Sequence, residues 1–186
     1  MTECKLYLAA PHDAEAIARI HYRAVRHNDR TSEPYREKVL RAWSPDVTQE
    51  RVADWRESLL GNDELFFCAT NNSGIVGFSS IKLRTTQADL EQVLGSKLPE
   101  DITPAVLARI GNLYGSADTP GVGTFMYNQL ETVAISCGKN AIVLNSSLNA
   151  VKFYRNKGFS MLNPENSYSF DKQTAMVCAG MIKRLT

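Results

Sequence analysis

The segment Gly121-Val122-Gly123-Thr124, followed by an amphipathic stretch to Cys137, constrains this chain more than any other. Two glycines at the start of a helix let backbone come close to a ligand, because neither carries a Cβ. The first N–H groups of a helix have no intrahelical partner, and the macrodipole makes that end partly positive. Such a turn suits an anion. The same glycines also fit a purely structural reading, a tight turn that starts a helix. The sequel distinguishes this segment. A short apolar strand, Ala141-Ile142-Val143-Leu144, comes next, and then Asn149-Ala150-Val151-Lys152-Phe153-Tyr154-Arg155-Asn156-Lys157-Gly158-Phe159.

The rest of the pattern supplies a sheet and its helices. Cys4, Leu6 and Leu8 alternate with Lys5 and Tyr7, which predicts a first strand. A helix is expected from about Asp13 to Arg26, with Ile17, Ile20, Ala24 and Val25 on one face. Pro34 to Trp43 reads as a second helix, with Tyr35, Val39 and Trp43 on one side. Thr48 is placed to cap a third, which Gly61 ends, and Val52, Trp55 and Leu59 form its stripe. Leu65 to Thr70 and Ile75 to Leu83 read as strands joined by the turn Asn71-Asn72-Ser73-Gly74. Val106 to Tyr114 reads as a fourth strand. A helix from about Asn149 to Lys157 is expected to end on Gly158, and Ala175 to Lys183 alternates as a last strand. Arg84 to Ala105 is irregular, with helical turns expected over Ala88 to Leu94. The order predicts an α/β (α+β) fold, a mixed sheet with helices on both faces.

Size and charge narrow the function. A chain of 186 residues holds a sizeable core, and we expect a single domain over 1–186. A formal net charge of +1 provides no field that recruits nucleic acid or an anionic membrane. No apolar run spans a bilayer, and Met1-Thr2-Glu3-Cys4-Lys5 lacks the apolar core of a signal peptide. Cys4, Cys68, Cys137 and Cys178 are scattered among apolar neighbours. They read as reduced, largely buried thiols of a cytoplasmic protein, and no short-spaced cysteines or histidines mark a metal site.

This arrangement resembles the GNAT superfamily of acyl-CoA N-acyltransferases. The glycine turn is similar to the pyrophosphate motif Q/R-x-x-G-x-G/A of that superfamily. The stretch from Ser147 through Gly158-Phe159 is similar to its N-x-x-A/V-x-x-F/Y-Y-x-x-x-G-F signature. Tyr35 and Ala42-Trp43-Ser44-Pro45 resemble one branch of small bacterial members. Two positions depart from the pattern: Asp118 stands where Gln or Arg is usual, and Pro120 lacks an N–H.

The resemblance implies a GNAT-like acyl-CoA N-acyltransferase fold with a mixed, mostly antiparallel sheet. It implies acetyl-CoA as co-substrate and a primary amine of a small molecule or peptide as acceptor, with a homodimer allowed. Backbone groups of Leu113, Tyr114 and Gly115 would hold the pantetheine arm, and the N–H groups of Gly121, Val122, Gly123 and Thr124 the pyrophosphate. Asn149 would contact the coenzyme, or cap its helix. Tyr154 would protonate the departing thiolate, or serve as a core aromatic, with Phe153 facing the core. Arg26, Tyr35 and Trp43 would border the acceptor, or Tyr35 and Trp43 would simply pack in the core. His21 reads as hydrogen-bonded packing, and the fourth strand offers Asn112 but no carboxylate, so no general base is named. Lys152, Arg155 and Lys157 read as a solvated face. A catalytically inactive GNAT-fold binding or regulatory module is the alternative.

Overall fold

Alternating apolar residues pair eight strands into one sheet, and two groups of amphipathic helices cover its two faces. A computed structural model describes residues 3–26, 37–87, 90, 98–162, 168–171 and 176–185. The strands are β1 (Lys5–Leu8), β2 (Leu65–Asn71), β3 (Gly74–Lys82), β4 (Leu107–Gly115), β5 (Ala141–Ser147), β6 (Ser160–Met161), β7 (Tyr168–Asp171) and β8 (Met176–Arg184). Their order is β1-β2-β3-β4-β5-β8-β6, with β7 also on β8. Only β4 and β5 run parallel; the other described pairs are antiparallel. The parallel pair follows from its connection, because a helix and not a hairpin joins the two strands.

The helices are α1 (Ala14–Arg26), α2 (Glu37–Trp43), α3 (Gln49–Leu60), α4 (Val122–Ser136) and α5 (Val151–Arg155). On one face α1 and α3 bury Ile17, Ala18, Ile20 and Trp55 against Phe66, Cys68 and Phe78. On the other, α4 and α5 bury Tyr127, Leu130, Ala134 and Tyr154 against Ile81, Ala108, Ile110, Ile142 and Leu144. The predicted helices on both faces are therefore found. Thr48 caps α3 as its sequence implies, accepting the Arg51 N–H at 3.2 Å. Gly74 and Gly158 turn at φ of 107° and 89°, where a Cβ is strained.

Several expectations shift. Leu6 packs against the Ala69, Val76, Val122 and Met126 cluster, but Leu8 is 60 % exposed, since β1 is an edge strand with a neighbour on one side only. Cys137 is exposed at the end of α4, while Cys68 and Cys178 are buried; no disulfide joins these cysteines among the described residues. The helix expected from Asn149 splits into a 3-10 turn, Leu148–Ala150, and α5. Tyr35 and most of the turns expected over 88–94 lie outside the described residues.

Removing the Thr48 cap leaves an end N–H without its acceptor. Thr48→Ala should lower stability by about 1 kcal/mol, and Thr48→Asp should retain it. Urea unfolding at constant m-value is the measurement.

Candidate functional site

The site begins where two strands stop pairing. β4 and β5 match from Leu107 opposite Ala141 to Ile110 opposite Leu144. β4 then continues to Gly115 and β5 to Ser147 with no ladder between them. Each strand follows its outer neighbour instead: β4 stays on β3 to Gly115, and β5 stays on β8 to Ser147. A bulge lies at the point of departure. Ser80 faces Asn112 and Ile81 faces Ile110, so Gly111 has no partner on β3. Such an extra residue bends its strand and increases the local twist.

The antiparallel alternation shows which main-chain groups face the wedge. Ser116 N–H donates to Val76 O at 2.7 Å, so residues 116 and 114 direct their N–H and C=O toward β3. Leu113 and Gly115 direct theirs to the opposite side, into the opening toward β5. The main chain of Tyr114 is committed to β3, and its side chain lines the cavity instead.

The α4 N-terminus lies just beyond Gly115. Gly121 occupies the N-cap at φ 89°, and Phe125 N–H closes the first helical bond on its carbonyl at 3.0 Å. Val122 N–H is already held by Thr119 O at 3.3 Å. Among the described residues, the N–H groups of Gly121, Gly123 and Thr124 donate to no protein group. A Cβ at Gly121 would meet only open space, so its outer side is accessible; Gly123 lies against Phe153. Three bare donors at a 15-residue helix terminus fit a phosphate group. Asp118 is exposed, where water and salt screen its charge.

A cavity of about 340 Å³ fills the wedge and crosses to the α1–α3 face. On the strand side it is bordered by Leu113, Asn145, Ser147, Ala150 and Tyr154; on the helix side by His21, Trp43, Arg51, Trp55, Glu64 and Arg109. Tyr154 is only 7 % exposed, and burial, followed by the nearby Tyr114, holds its phenol well above the usual tyrosine range. The phenol therefore keeps its proton at neutral pH. Phe153, expected in the core, is half-buried beside Gly123, and Tyr154 is the deeper of the two. Asn149 stands in the 3-10 turn next to Ala150; Ala150 itself is the N-cap of α5, so Asn149 does not hold the capping position.

Trp43 lines the cavity and donates its Nε1–H to the Tyr114 hydroxyl at 3.2 Å. Arg26 does not. Its guanidinium is drawn back to the Ser44 carbonyl at 3.2 Å and Glu37 at 2.8 Å, in a separate hollow with Tyr22, Arg41, Pro45 and Asp46. Lys152 and Arg155 are exposed as expected, but Lys157 is half-buried, with its ammonium over the rings of Tyr127 and Phe153.

A carboxylate does enter the cavity, from outside the fourth strand. Glu64, the residue before β2, accepts the Ser80 hydroxyl at 2.6 Å, and Asn112 Nδ2 donates to the same hydroxyl oxygen at 2.8 Å. A Cβ on Gly111 would overlap the Glu64 carboxylate. Glu64 was invisible in the sequence because it sits in a polar run after Gly61, with no periodicity to mark its direction.

Known structures share this architecture. A GCN5-related N-acetyltransferase from Rhodopseudomonas palustris aligns over 100% of this chain and 96% of its own, with TM-score 0.69 and 24% identity. The chain has the GNAT fold. The PaiA N-acetyltransferase of Thermoplasma acidophilum, solved with coenzyme A, aligns over 98% of this chain and 99% of its own (TM-score 0.65, 15% identity). YncA of Salmonella typhimurium, a putative acetyltransferase solved with acetyl-CoA, aligns over 100% and 95% (TM-score 0.58, 18% identity). No protein-family model and no curated protein matches the sequence. Among the described residues, no helix of this GNAT-fold chain is long and apolar enough to cross a membrane, and no cluster of His, Cys, Asp or Glu could hold a metal ion.

His21 is buried between Trp43, Trp55, Phe78 and Tyr114, and its Nδ1 shares a 3.1 Å hydrogen bond with the Ser44 hydroxyl. Burial first, then Arg51, lowers its pKa to about 3. The unfolded chain protonates His21 near pH 6.5, so between these values it binds the extra proton. Stability therefore falls as pH drops through that window. From pH 7 to 4.5 the loss from His21 should be about 2–3 kcal/mol. Denaturant titrations across this range should show a shallower slope in His21→Gln; an unchanged slope would refute the assignment.

Proposed function

We propose that this protein is an N-acetyltransferase that moves the acetyl group of acetyl-CoA to a primary amine of a small molecule or peptide. One observation carries the reading: a wedge between parallel strands, with bare helix N–H groups at its mouth and a protonated, buried tyrosine in its wall. Leu113 and Gly115 have main-chain groups facing the wedge, suited to the amides of the pantetheine arm as an added strand. Gly121, Gly123 and Thr124 suit the pyrophosphate. The co-substrate supplies an activated acyl group.

The chain's own residues then divide the work. Glu64 takes the proton of the amine, which is mostly an ammonium at pH 7 with a free pKa of about 10.4 for a lysine-like group. The amine lone pair forms the new N–C bond. A wedge-facing N–H of Leu113 or Gly115 stabilises the oxygen as negative charge develops on it. The carbonyl re-forms as the C–S bond breaks, sulfur keeps the electron pair and takes a proton from Tyr154, and the attacking nitrogen gives up its second proton to the tyrosinate. Holding both reactants in register contributes more than either proton transfer, up to roughly 7–11 kcal/mol against about 10²–10⁴-fold.

Calorimetric titration with acetyl-CoA should give saturable binding, weakened at least tenfold by Gly123→Glu, which adds bulk and negative charge at the helix end. No heat at millimolar coenzyme would remove the transferase reading and leave a binding module. In steady-state assays Tyr154→Phe should lower kcat by about 10²-fold with little change in KM for the coenzyme. Glu64→Gln should also lower kcat/KM by about 10²-fold, since an amide cannot take the proton of the amine.

A further inference from the structure

The helix side of the cavity carries an unequal set of charges. Of the residues lining it, Arg51 from α3 and Arg109 from β4 are matched by one carboxylate, Glu64, with Asp54 outside the lining beside Arg51, and His21 beside them is neutral at pH 7. The two guanidiniums are also short of acceptors. Arg26, by comparison, is engaged by a carbonyl and a carboxylate at hydrogen-bond distance. Among the described residues, Arg109 has only Glu64 Oε2 at 3.8 Å, beyond hydrogen-bond range, and its Nε is buried with no partner. Its side chain is 19% exposed, so water cannot fully replace the missing bonds. Arg51 lies 3.7 Å from Asp54, and its guanidinium carbon sits 5.0 Å from the centre of the Trp55 ring. Donors removed from water without acceptors are costly, and a ligand anion relieves that cost. The planar fork of a guanidinium matches a carboxylate in particular.

The neighbouring surface is apolar. Trp43, Trp55 and Tyr114 present ring faces and edges to the same space. Beyond the transferase reading, on which this rests, we propose that the acceptor is a small amino carboxylate with an apolar side chain. Its carboxylate is held by Arg51 and Arg109, its amine lies toward Glu64, and its side chain lies against the tryptophans. A polyamine is the opposite case. It would bring two or more positive charges to a lining that already carries a surplus of one.

Matched ligands that differ in the carboxylate alone test this. The protein, without coenzyme, is titrated calorimetrically with L-phenylalanine, 2-phenylethylamine and spermidine, and L-leucine and L-methionine complete the panel. The amino acids should bind about tenfold or more tightly than either amine, and Arg51→Gln should remove that difference while Arg51→Lys keeps part of it. Equal or tighter binding of 2-phenylethylamine or spermidine overturns the proposal, as does no amino-acid binding at tens of millimolar. The wild-type comparison stands even if a variant fails to fold. Binding of amino acid without binding of acetyl-CoA would sink the transferase reading and keep the anion site. The reverse result would sink the anion site alone.

Discussion

The parallel ladder between β4 and β5 ends at Ile110 and Leu144, and the arrangement of the site follows from that ending. A continuous ladder would consume the main-chain groups of Leu113 and Gly115. The early stop leaves them facing an opening. β3 and β8 can draw the two strands apart because each pairs antiparallel with its own partner past the last shared rung. The Gly111 bulge turns β4 at that level. The hydrophobic faces below, with Ile81, Ala108, Ile142 and Leu144 fully or almost fully buried, hold the closed half of the pair together. The open half rests on a closely packed base.

Much of this architecture could be read from the chain. Ala141 to Leu144 is a run of apolar residues buried on both sides, and it marks a central strand. Thr48, Gly121 and Gly158 mark helix ends locally, Thr48 through a side chain that accepts an end N–H and the two glycines through positive φ. The glycine turn was legible as a local motif, and Tyr154 through the resemblance of Ser147 to Phe159 to the GNAT signature. Tyr154 lines the cavity of the wedge, and the Gly123 nitrogen would lie 3.6 Å from a Cβ on Gly115.

The helix side of the cavity was not legible. Glu64, Arg51 and Arg109 come from a loop, a helix and a strand distant in sequence. None breaks a pattern where it stands. Arg51 looks like an ordinary polar residue in the first turn of α3, and Arg109 like an interruption in an apolar strand. Arg26 misled in the opposite sense, because its place at the end of α1 is close to the cavity, yet a carbonyl and a carboxylate pull it aside. Side-chain direction at such positions is decided by tertiary partners, which no local window contains. His21 shows the other limit: its apolar surroundings were evident from helix periodicity, and burial makes it a neutral spacer in an otherwise charged wall.

Gly111 ties two distant positions into one unit of inheritance. The space a side chain would need there is held by the Glu64 carboxylate. Drift at residue 111, even to alanine, would evict the acid at residue 64 or force the bulge to relax. A lineage that loses this glycine should therefore lose or relocate its carboxylate at the same time.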